Sequence, residues 1–540
     1  MPATNWPSDH HRPSRLACLG VGFLVLAVLG CSHPQDSSNS SQVLRRGLSG
    51  EPATLDPAAS GDTFSHEVLE DLYEGLTSES PSGEVIPGVA SSWSVDASGR
   101  QYTFQLRPDA RWSNGRPVRA QDFIAAWRRA LDPKVASPDA DDLRLISGAS
   151  SIIAGKSPVS ALGVEADGEG MLIVHLEEPA PYFLQLLSHS ASYPIYSDAS
   201  ARSHDPTSSV SNGAYALAAW SPGTKVELMR NPYYWNRTAV LIPRIDYVFA
   251  SDGNTQFDSY RAGELDMTDT VPENAADRLR RERSTELITS PILATAYYGL
   301  NLSASPCAAN LKLRQALSMA IDRRRLVQSL AFGQAPAYGF VPPGTWNYSP
   351  QSWAWKNLSD DERTAEARRL YAESGYSTRS PLHLRLLLNG NPSIQKTAIV
   401  VSAMWRETLG IDTELTNEEY RVFLESRHDK SRWDVVRLAW AADFNDASNF
   451  LDILRTHSSN NDPGYSNASF DRLLDAAAGS ADAGRRRELL ENSERLMLAN
   501  YPVIPLYFFV SKRLVKPYVH GVVANPLNQI RSQTLTRQAR

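Results

Sequence analysis

Short strand-like and helix-like patterns alternate along most of the chain. Apolar and polar residues alternate over Gln101–Leu106, which predicts a half-buried strand, and residues 113–115 (Ser-Asn-Gly) predict a turn after it. Apolar residues at helical spacing over 123–131 predict an amphipathic helix that ends before Pro133. This mixture predicts α/β lobes rather than an all-α or all-β domain.

A second helical stripe occurs late in the chain. Its apolar members are Ile399, Val400, Ala403 and Met404. Gly410 follows at the position where a glycine C-cap commonly ends a helix. We assign this stripe to the hydrophobic core rather than to a cofactor site.

The N-terminal region carries a secretion signal. An apolar run over residues 16–29 follows two arginines, and it is shorter than the ~20 residues that a membrane-spanning helix needs. It ends in Val28-Leu29-Gly30-Cys31, which resembles a bacterial lipobox. We therefore assign residues 1–30 to a lipoprotein signal peptide and expect lipidation at Cys31. The alternative is that Cys31 is an ordinary small residue after a secretion signal.

The residues after Cys31 are polar and rich in serine, and we assign 31–50 to a flexible tether. Acyl chains on Cys31 would hold the protein at a membrane, which predicts a periplasmic or cell-envelope location. Cys18 leaves with the signal peptide, so Cys307 is the remaining thiol and we expect no internal disulfide.

Composition and charge restrict the function classes. The chain has 540 residues, of which 42% are hydrophobic and 21% charged, as in folded proteins of several domains. The net charge of −6 disfavours a nucleic-acid binder. No metal-binding or nucleophile motif is present, and the glycine spacing before Gly155-Lys156-Ser157 does not fit a phosphate loop. We expect no cofactor, no metal and no enzymatic activity, with a secreted hydrolase as the alternative.

The segment 435–442 is apolar except for Arg437, which predicts a buried strand followed by a turn toward Asn445. A buried charge is costly unless it is paired, so Arg437 requires an anion and Asp443 a cation or donors. The two residues could satisfy each other, or each could pair elsewhere. They could also bind the two ends of a short zwitterion, because six residues of strand span about 20 Å and end on the same face.

A series of motifs occurs in one order along residues 47–526. They include Leu55-Asp56-Pro57, Tyr73-Glu74-Gly75-Leu76, Trp112-Ser113-Asn114-Gly115, Asn212-Gly213-Ala214-Tyr215, Asn231-Pro232-Tyr233-Tyr234-Trp235-Asn236, Gly263-Glu264-Leu265-Asp266, Arg314-Gln315-Ala316-Leu317 and Pro505-Leu506-Tyr507. In this order and spacing the chain resembles the family-5 solute-binding proteins, the periplasmic oligopeptide-binding proteins of bacterial ABC importers.

The resemblance implies an α/β, two-lobed periplasmic-binding-protein clamp of type II with an extra subdomain. The implied parts are a discontinuous lobe I core (51–73, 197–293 and 510–540), an additional subdomain (74–196) and lobe II (294–509). A peptide would lie extended between the closing lobes. The implied partners are an inner-membrane ABC permease with its ATPase subunits, and the protein would be a monomer. A dedicated role with cell-wall-derived or signalling peptides stays open.

The resemblance also implies a ligand-binding set. Asp443 would meet the peptide's α-amino group, and Arg437 and Arg427 would serve its carboxylates. The positions that would line side-chain pockets or complete the set are Trp440, Tyr420, Tyr297, Thr63, Ala439, Asp139 and Gly61.

Several positions depart from the family pattern. Asp139 stands where relatives have tyrosine, Gly61 replaces an acid near the amine, and Ile394 and Leu330 replace a histidine and a lysine that receive carboxylates. Ala294 and Ala441 stand where close relatives carry a cysteine pair. These departures imply ligands that are shorter, or differently charged, than those of a general oligopeptide binder.

Overall fold

The computed structural model describes residues 43–196, 210–330, 333–377 and 379–538. The expected signal peptide, Cys31 and most of the expected tether lie outside the described residues. Within the described ranges, every helix is too short or too polar to span a bilayer.

The strands of the described chain are numbered in sequence order. They are β1 (Val43–Leu48), β2 (Thr77–Glu79), β3 (Val85–Pro87), β4 (Ala90–Val95), β5 (Gln101–Leu106), β6 (Val164–Asp167), β7 (Met171–His175), β8 (Tyr215–Ser221), β9 (Lys225–Arg230), β10 (Arg244–Phe249), β11 (Leu287–Leu300), β12 (Ala335–Pro336), β13 (His383–Asn389), β14 (Asp412–Glu418), β15 (Val435–Ala441), β16 (Val503–Leu514), β17 (Val519–His520) and β18 (Thr536–Arg537).

The α-helices are numbered in the same way. They are α1 (Thr63–Leu72), α2 (Ala120–Ala130), α3 (Ala149–Ile153), α4 (Phe183–Leu186), α5 (Gly253–Ala262), α6 (Ala276–Glu282), α7 (Leu311–Met319), α8 (Arg323–Leu330), α9 (Asp360–Glu373), α10 (Pro392–Leu409), α11 (Tyr420–Ser426), α12 (Ser448–Leu451), α13 (Ala468–Ala478) and α14 (Ala483–Asn500). Single 3-10 turns include Ala140–Leu143 and Ser190–Ser192.

Three larger sheets organise most of these elements, and the pairs β2-β3 and β17-β18 form two small sheets. The four strands β1-β10-β9-β8 form the first-lobe sheet, and β4-β5-β7-β6 form a separate sheet within residues 74–196. The six strands β12-β16-β11-β15-β13-β14 form the second-lobe sheet. We use first lobe, subdomain and second lobe for the regions around these three sheets.

The N-terminal half of the fold contains the predicted strand, turn and helix. The strand prediction is confirmed by β5, and Gly115 closes the predicted turn with a φ of +83°, a left-handed conformation that favours glycine. Helix α2 confirms the amphipathic pattern, and its Asp122 carboxylate accepts a hydrogen bond from the Arg119 backbone N–H, which helps to fix the start of the helix.

Two sequence predictions need correction. Residues 43–48 were assigned to the tether, but they form β1 in parallel with β10, and Leu44 and Leu48 are fully buried. Gly410 caps α10 as predicted, but the predicted stripe is only half in the core. Met404 is buried and Val400 packs against the core, whereas Ile399 is 55% exposed and Ala403 is also exposed. The buried face lies around Trp405, whose indole N–H donates to the Leu317 carbonyl.

Strands β11 and β16 connect the two lobes. Their antiparallel ladder is interrupted between Pro291 and Thr295, where the register shifts. In this interruption the Leu293 N–H donates to the Pro526 carbonyl at 2.7 Å, and the Leu293 carbonyl accepts from the Ala442 N–H at 2.8 Å. The crossing between the lobes therefore adjoins the turn that precedes Asp443.

Buried carboxyl groups lie on helix α1 of the first lobe. The Arg46 guanidinium donates to Glu67 and to the Tyr247 hydroxyl, with N–O distances of 2.5 and 2.8 Å. Burial raises the pKa of Glu67 to about 7 and that of Glu70 to about 8, even though Arg46 and Arg531, respectively, act in the opposite direction.

These pKa values predict how stability depends on pH. Both folded-state values lie above the ordinary value of 4.5, so their contribution is fully present in acid and is lost as the pH rises through the folded-state pKa values. Each unit of pKa difference is worth about 1.4 kcal/mol. We expect the thermal midpoint to fall from about pH 4.5, the ordinary pKa, to about pH 8, the higher of the two folded-state values, and to level off above it. Glu70→Gln should flatten this fall, whereas the exposed-site control Glu178→Gln should not; a flat wild-type profile would contradict the assignment.

Candidate functional site

Strand β15 leads into the candidate site. Its first residues, Val435 to Leu438, are buried, whereas Ala439 and Ala441 are exposed. The strand pairs with β13 only at Val435 and Val436, so the later part of its edge carries no ladder to β13. The strand prediction is confirmed, but burial over the whole segment 435–442 is wrong.

Arg437 is a buried cation. Its side chain donates to the Leu438 carbonyl and to the Tyr507 hydroxyl, and its Nε has no hydrogen-bond partner in the described ranges. In the described part of the chain no carboxylate forms an ion pair with it, and so Asp443 does not neutralise it. An uncompensated buried charge is costly, which leaves Arg437 available to an anionic ligand group.

A cavity of about 730 Å³ opens beside Arg437. It is lined by first-lobe residues, including Asn254 and Pro272, and by second-lobe residues, including Tyr507. Five sequence-predicted positions also line it, namely Arg437, Arg427, Tyr420, Ala439 and Ile394. Because Ile394 is apolar, it supplies no charge to this wall.

Arg427 differs from Arg437 in its surroundings. Its Nη1 lies 3.6 Å from Oδ2 of Asp462, and Lys430 and His428 also lie within ion-pair distance of the same carboxylate. Arg427 is therefore partly neutralised within the protein. Its Nε is buried and has no hydrogen-bond partner among the residues that the structure describes.

Asp443 lies beyond the end of β15, so the expectation that it shares a strand face with Arg437 is wrong. The Asn449 amide donates to its Oδ2 at 3.2 Å. Desolvation raises the pKa of Asp443, and Asp142 and Asp139 raise it further, whereas Asn449 and His189 lower it. The Asp443 carboxylate therefore lies close to other negatively charged side chains, and this environment favours the binding of a cation.

The groups facing Asp443 come from the other side of the cleft. His66 Nε2 lies 3.0 Å from Oδ2 of Asp139, and His189 Nδ1 lies 3.0 Å from Oδ2 of Asp142. Burial opposes protonation of His189, but Asp142, Asp139 and Asp443 outweigh it and raise the pKa of His189 to about 9. A protonated His189 therefore offsets part of the negative charge.

The structure gives a reason for the glycine at position 61. A Cβ there would lie 2.4 Å from the Pro138 Cβ and 3.9 Å from Oδ1 of Asp139. The loop that carries Asp139 thus fills the space that a side chain on residue 61 would need.

Other predicted positions lie in varied surroundings. Tyr297 is 3% exposed and packs edge-on against Phe340, so it belongs to the core rather than to an open pocket wall. Thr63 is exposed at the start of α1, and Leu330 is buried. Ala294 and Ala441 are cross-strand partners, which places the positions of the relatives' cysteine pair side by side without thiols. Cys307 is buried and forms no disulfide with a residue that the structure describes.

Sequence reasoning missed the contacts that hold the turn after β15. Phe444 stacks on Tyr182 of the subdomain, with ring centroids 4.7 Å apart and planes 7° apart. Arg486 lies over the same tyrosine and forms a buried ion pair with Asp446 at 2.6 Å. These partners are far apart in sequence, so no local signal pairs them. Within the described ranges, no cluster of His, Cys, Asp or Glu is suited to a metal ion.

Comparisons with known proteins agree with this architecture. Residues 84–462 match the model of "Bacterial extracellular solute-binding proteins, family 5 Middle". The periplasmic oligopeptide-binding protein OppA of Escherichia coli K12 is 36% identical over 488 residues, which cover 89% of each chain.

Solved structures show the same fold. The unliganded open form of the periplasmic murein tripeptide-binding protein MppA superposes with a TM-score of 0.82 at 33% identity, covering 92% of this chain and 97% of that one. Haemophilus influenzae OppA in complex with the peptide RPPGFSPFR has a TM-score of 0.76 at 33% identity, with 92% and 99% covered. The α/β two-lobed clamp is confirmed, and the chain belongs to the bacterial extracellular solute-binding proteins of family 5.

Proposed function

We propose that this protein is the extracytoplasmic peptide-binding component of an ABC importer. The observation that carries the proposal is that two separate charged groups lie along β15 and the turn after it. Arg437, on the strand, is a buried cation without an ion-pair partner among the described residues, and Asp443, in the turn, is a crowded carboxylate. A peptide has an ammonium group at one end and a carboxylate at the other. The names of the relatives, oligopeptide-binding and murein tripeptide-binding, support the same ligand class.

The edge of β15 supports an extended ligand. Beyond Val436 its edge carries no ladder to β13, so a peptide backbone can pair there as an added strand. Because backbone hydrogen bonds do not depend on the side chains of the peptide, such pairing suits a protein that binds peptides of varied sequence. In this arrangement Asp443 holds the amine, Arg437 the carboxylate, and the 730 Å³ cavity takes the C-terminal part of a short peptide.

The first lobe, subdomain and second lobe would close on the peptide about the interrupted part of β11 and β16, and the closed form would be presented to an inner-membrane permease and its ATPase subunits. The expected unit is a monomer, and no cofactor is required for binding.

Closure is tested by small-angle scattering with and without trialanine. We expect a smaller radius of gyration with the peptide, and a gain of about 2.7 kcal/mol in unfolding free energy at a hundredfold excess over Kd. Trialanine with both ends blocked is the control and should change neither quantity. Identical scattering curves for free and saturated protein would contradict closure.

The alternative, a secreted hydrolase, would cleave peptides that are incubated with the protein. The relatives are binding proteins, and we expect every peptide of a mixed pool to be recovered intact after incubation. Peptides carried through gentle purification, identified by mass spectrometry, would distinguish nutrient uptake from a role with cell-wall-derived or signalling peptides.

Cys31 is proposed as the lipid anchor. Two or three acyl chains provide stable membrane attachment, at about 0.8 kcal/mol per buried methylene. We expect the wild-type protein in the membrane fraction with an acylated N-terminus, and Cys31→Ser as an unprocessed or soluble product. Cys307→Ser is the matched control and should stay in the membrane fraction. A soluble wild-type protein with an unmodified N-terminus would contradict the anchor.

A further inference from the structure

Asn449 connects two side chains of the candidate site. It is 7% exposed and belongs to the short helix α12 that follows the turn. Its side-chain carbonyl accepts from the Trp440 indole N–H at 2.7 Å and from the Asp443 backbone N–H at 3.3 Å. Its amide donates to Oδ2 of Asp443 at 3.2 Å. One amide therefore holds both the end of the strand and the carboxylate.

These contacts leave part of the Asp443 carboxylate open. Among the described residues, Asn449 is the donor that reaches it, and it occupies only Oδ2. The other oxygen stays free for an ammonium group. The Trp440 indole is fixed by the same Asn449 carbonyl, so the position of the ring and that of the carboxylate are set together.

We propose that Asn449 is a positioning residue that orients Asp443 toward the ligand's amine and thereby determines selectivity for peptides with a free N-terminus. The inference rests on the proposed function. A hydrogen bond to the charged carboxylate also favours its ionised form, against the effects of burial and of Asp142 and Asp139, while His189 acts in the same direction as Asn449.

The test uses Asn449→Leu, which is similar in size but can neither donate nor accept. Calorimetry with free and N-acetylated trialanine gives a selectivity ratio for each protein. Hydrogen bonds to charged groups suggest a fall in this ratio of roughly tenfold or more. The fall should be larger at about pH 5 than at about pH 8, because Asp443 loses a group that keeps it ionised. Asn449→Ser, whose shorter side chain cannot keep all the contacts of the amide, should give a ratio between those of the wild type and Asn449→Leu.

Asn445→Leu is the matched control in the same turn. Asn445 accepts from the Trp346 backbone N–H at 2.8 Å instead of contacting Asp443, so this variant should keep the wild-type ratio. If Asn449 had only a structural role, Asn449→Leu would lower the affinities for the free and the acetylated peptide by the same factor. The selectivity ratio would then be unchanged, and this result would overturn the inference. If Asn449→Leu does not fold, an unchanged ratio and pH profile in Asn449→Ser would overturn it. A wild-type protein that does not distinguish the two peptides would refute the proposed function itself.

Discussion

Asp443→Asn is expected to weaken the binding of peptides with a free N-terminus by about a hundred- to several-thousand-fold. Breaking a buried charge pair by removing one partner costs about 3–5 kcal/mol, and this range corresponds to that loss of affinity. The loss should lie toward the lower part of the range, because Asp139 and Asp142 still attract the ammonium group in the variant. The amide of asparagine preserves the size of the side chain while removing its charge.

Acetylating the N-terminus of the peptide removes the same contact as Asp443→Asn, because it eliminates the charged ammonium group that Asp443 would bind. We therefore expect the losses from Asp443→Asn and from acetylation not to add. Calorimetric titration of the four combinations of two proteins and two peptides measures this directly. A purely structural Asp443 would lower the melting temperature of the variant without distinguishing the peptides, and additive losses would contradict its assignment to the amine.

Local sequence patterns predicted individual elements of the fold well. Residues 101–106 and 123–131 carry periodic patterns that tertiary packing did not override. The tether prediction was wrong at β1 because Val43–Leu48 is short and lies beside a polar segment. Its burial depends on β10, about two hundred residues later, which no local pattern reports.

The candidate site was predictable only in part. A charge within an apolar run singled out Arg437, and the family resemblance supplied Asp443 and Arg427. Ile399 shows the limit of periodicity, since a helical stripe does not say which neighbouring face meets the core. The stack of Tyr182 on Phe444 is a tertiary contact between distant segments and could not be read from either of them.

Arg437 and Arg427 differ in a way that sequence could not reveal. We assign both to ligand carboxylates, yet Asp462 lies 3.6 Å from Arg427, whereas the partners of Arg437 among the described residues are the Leu438 carbonyl and the Tyr507 hydroxyl. Neutral acceptors compensate a buried guanidinium poorly. The free protein therefore carries an electrostatic cost at Arg437 that a ligand carboxylate would relieve, and we expect the main anion contact there.

Arg437→Met is accordingly expected to have opposite effects on stability and on binding. Replacing an uncompensated buried charge with an apolar side chain should leave the melting temperature of the free protein unchanged or raise it. The affinity for short peptides with a free C-terminal carboxylate should fall about a hundredfold or more, as for the loss of a buried charge pair.

The measurements are thermal unfolding without ligand and calorimetry with trialanine and its C-terminal amide. Amidation of the peptide should strongly weaken its binding to the wild-type protein. It should weaken binding to Arg437→Met only a little, because the carboxylate contact is already absent in the variant.

Longer peptides should bind the wild-type protein poorly from the start, since Ile394 lines the cavity without a charge and Leu330 is a buried apolar residue. Arg427→Met is the matched control: it leaves Asp462 with Lys430 and His428, and its effect on trialanine should be smaller. An Arg437→Met protein that is less stable but still prefers the free carboxylate would place the anion contact elsewhere.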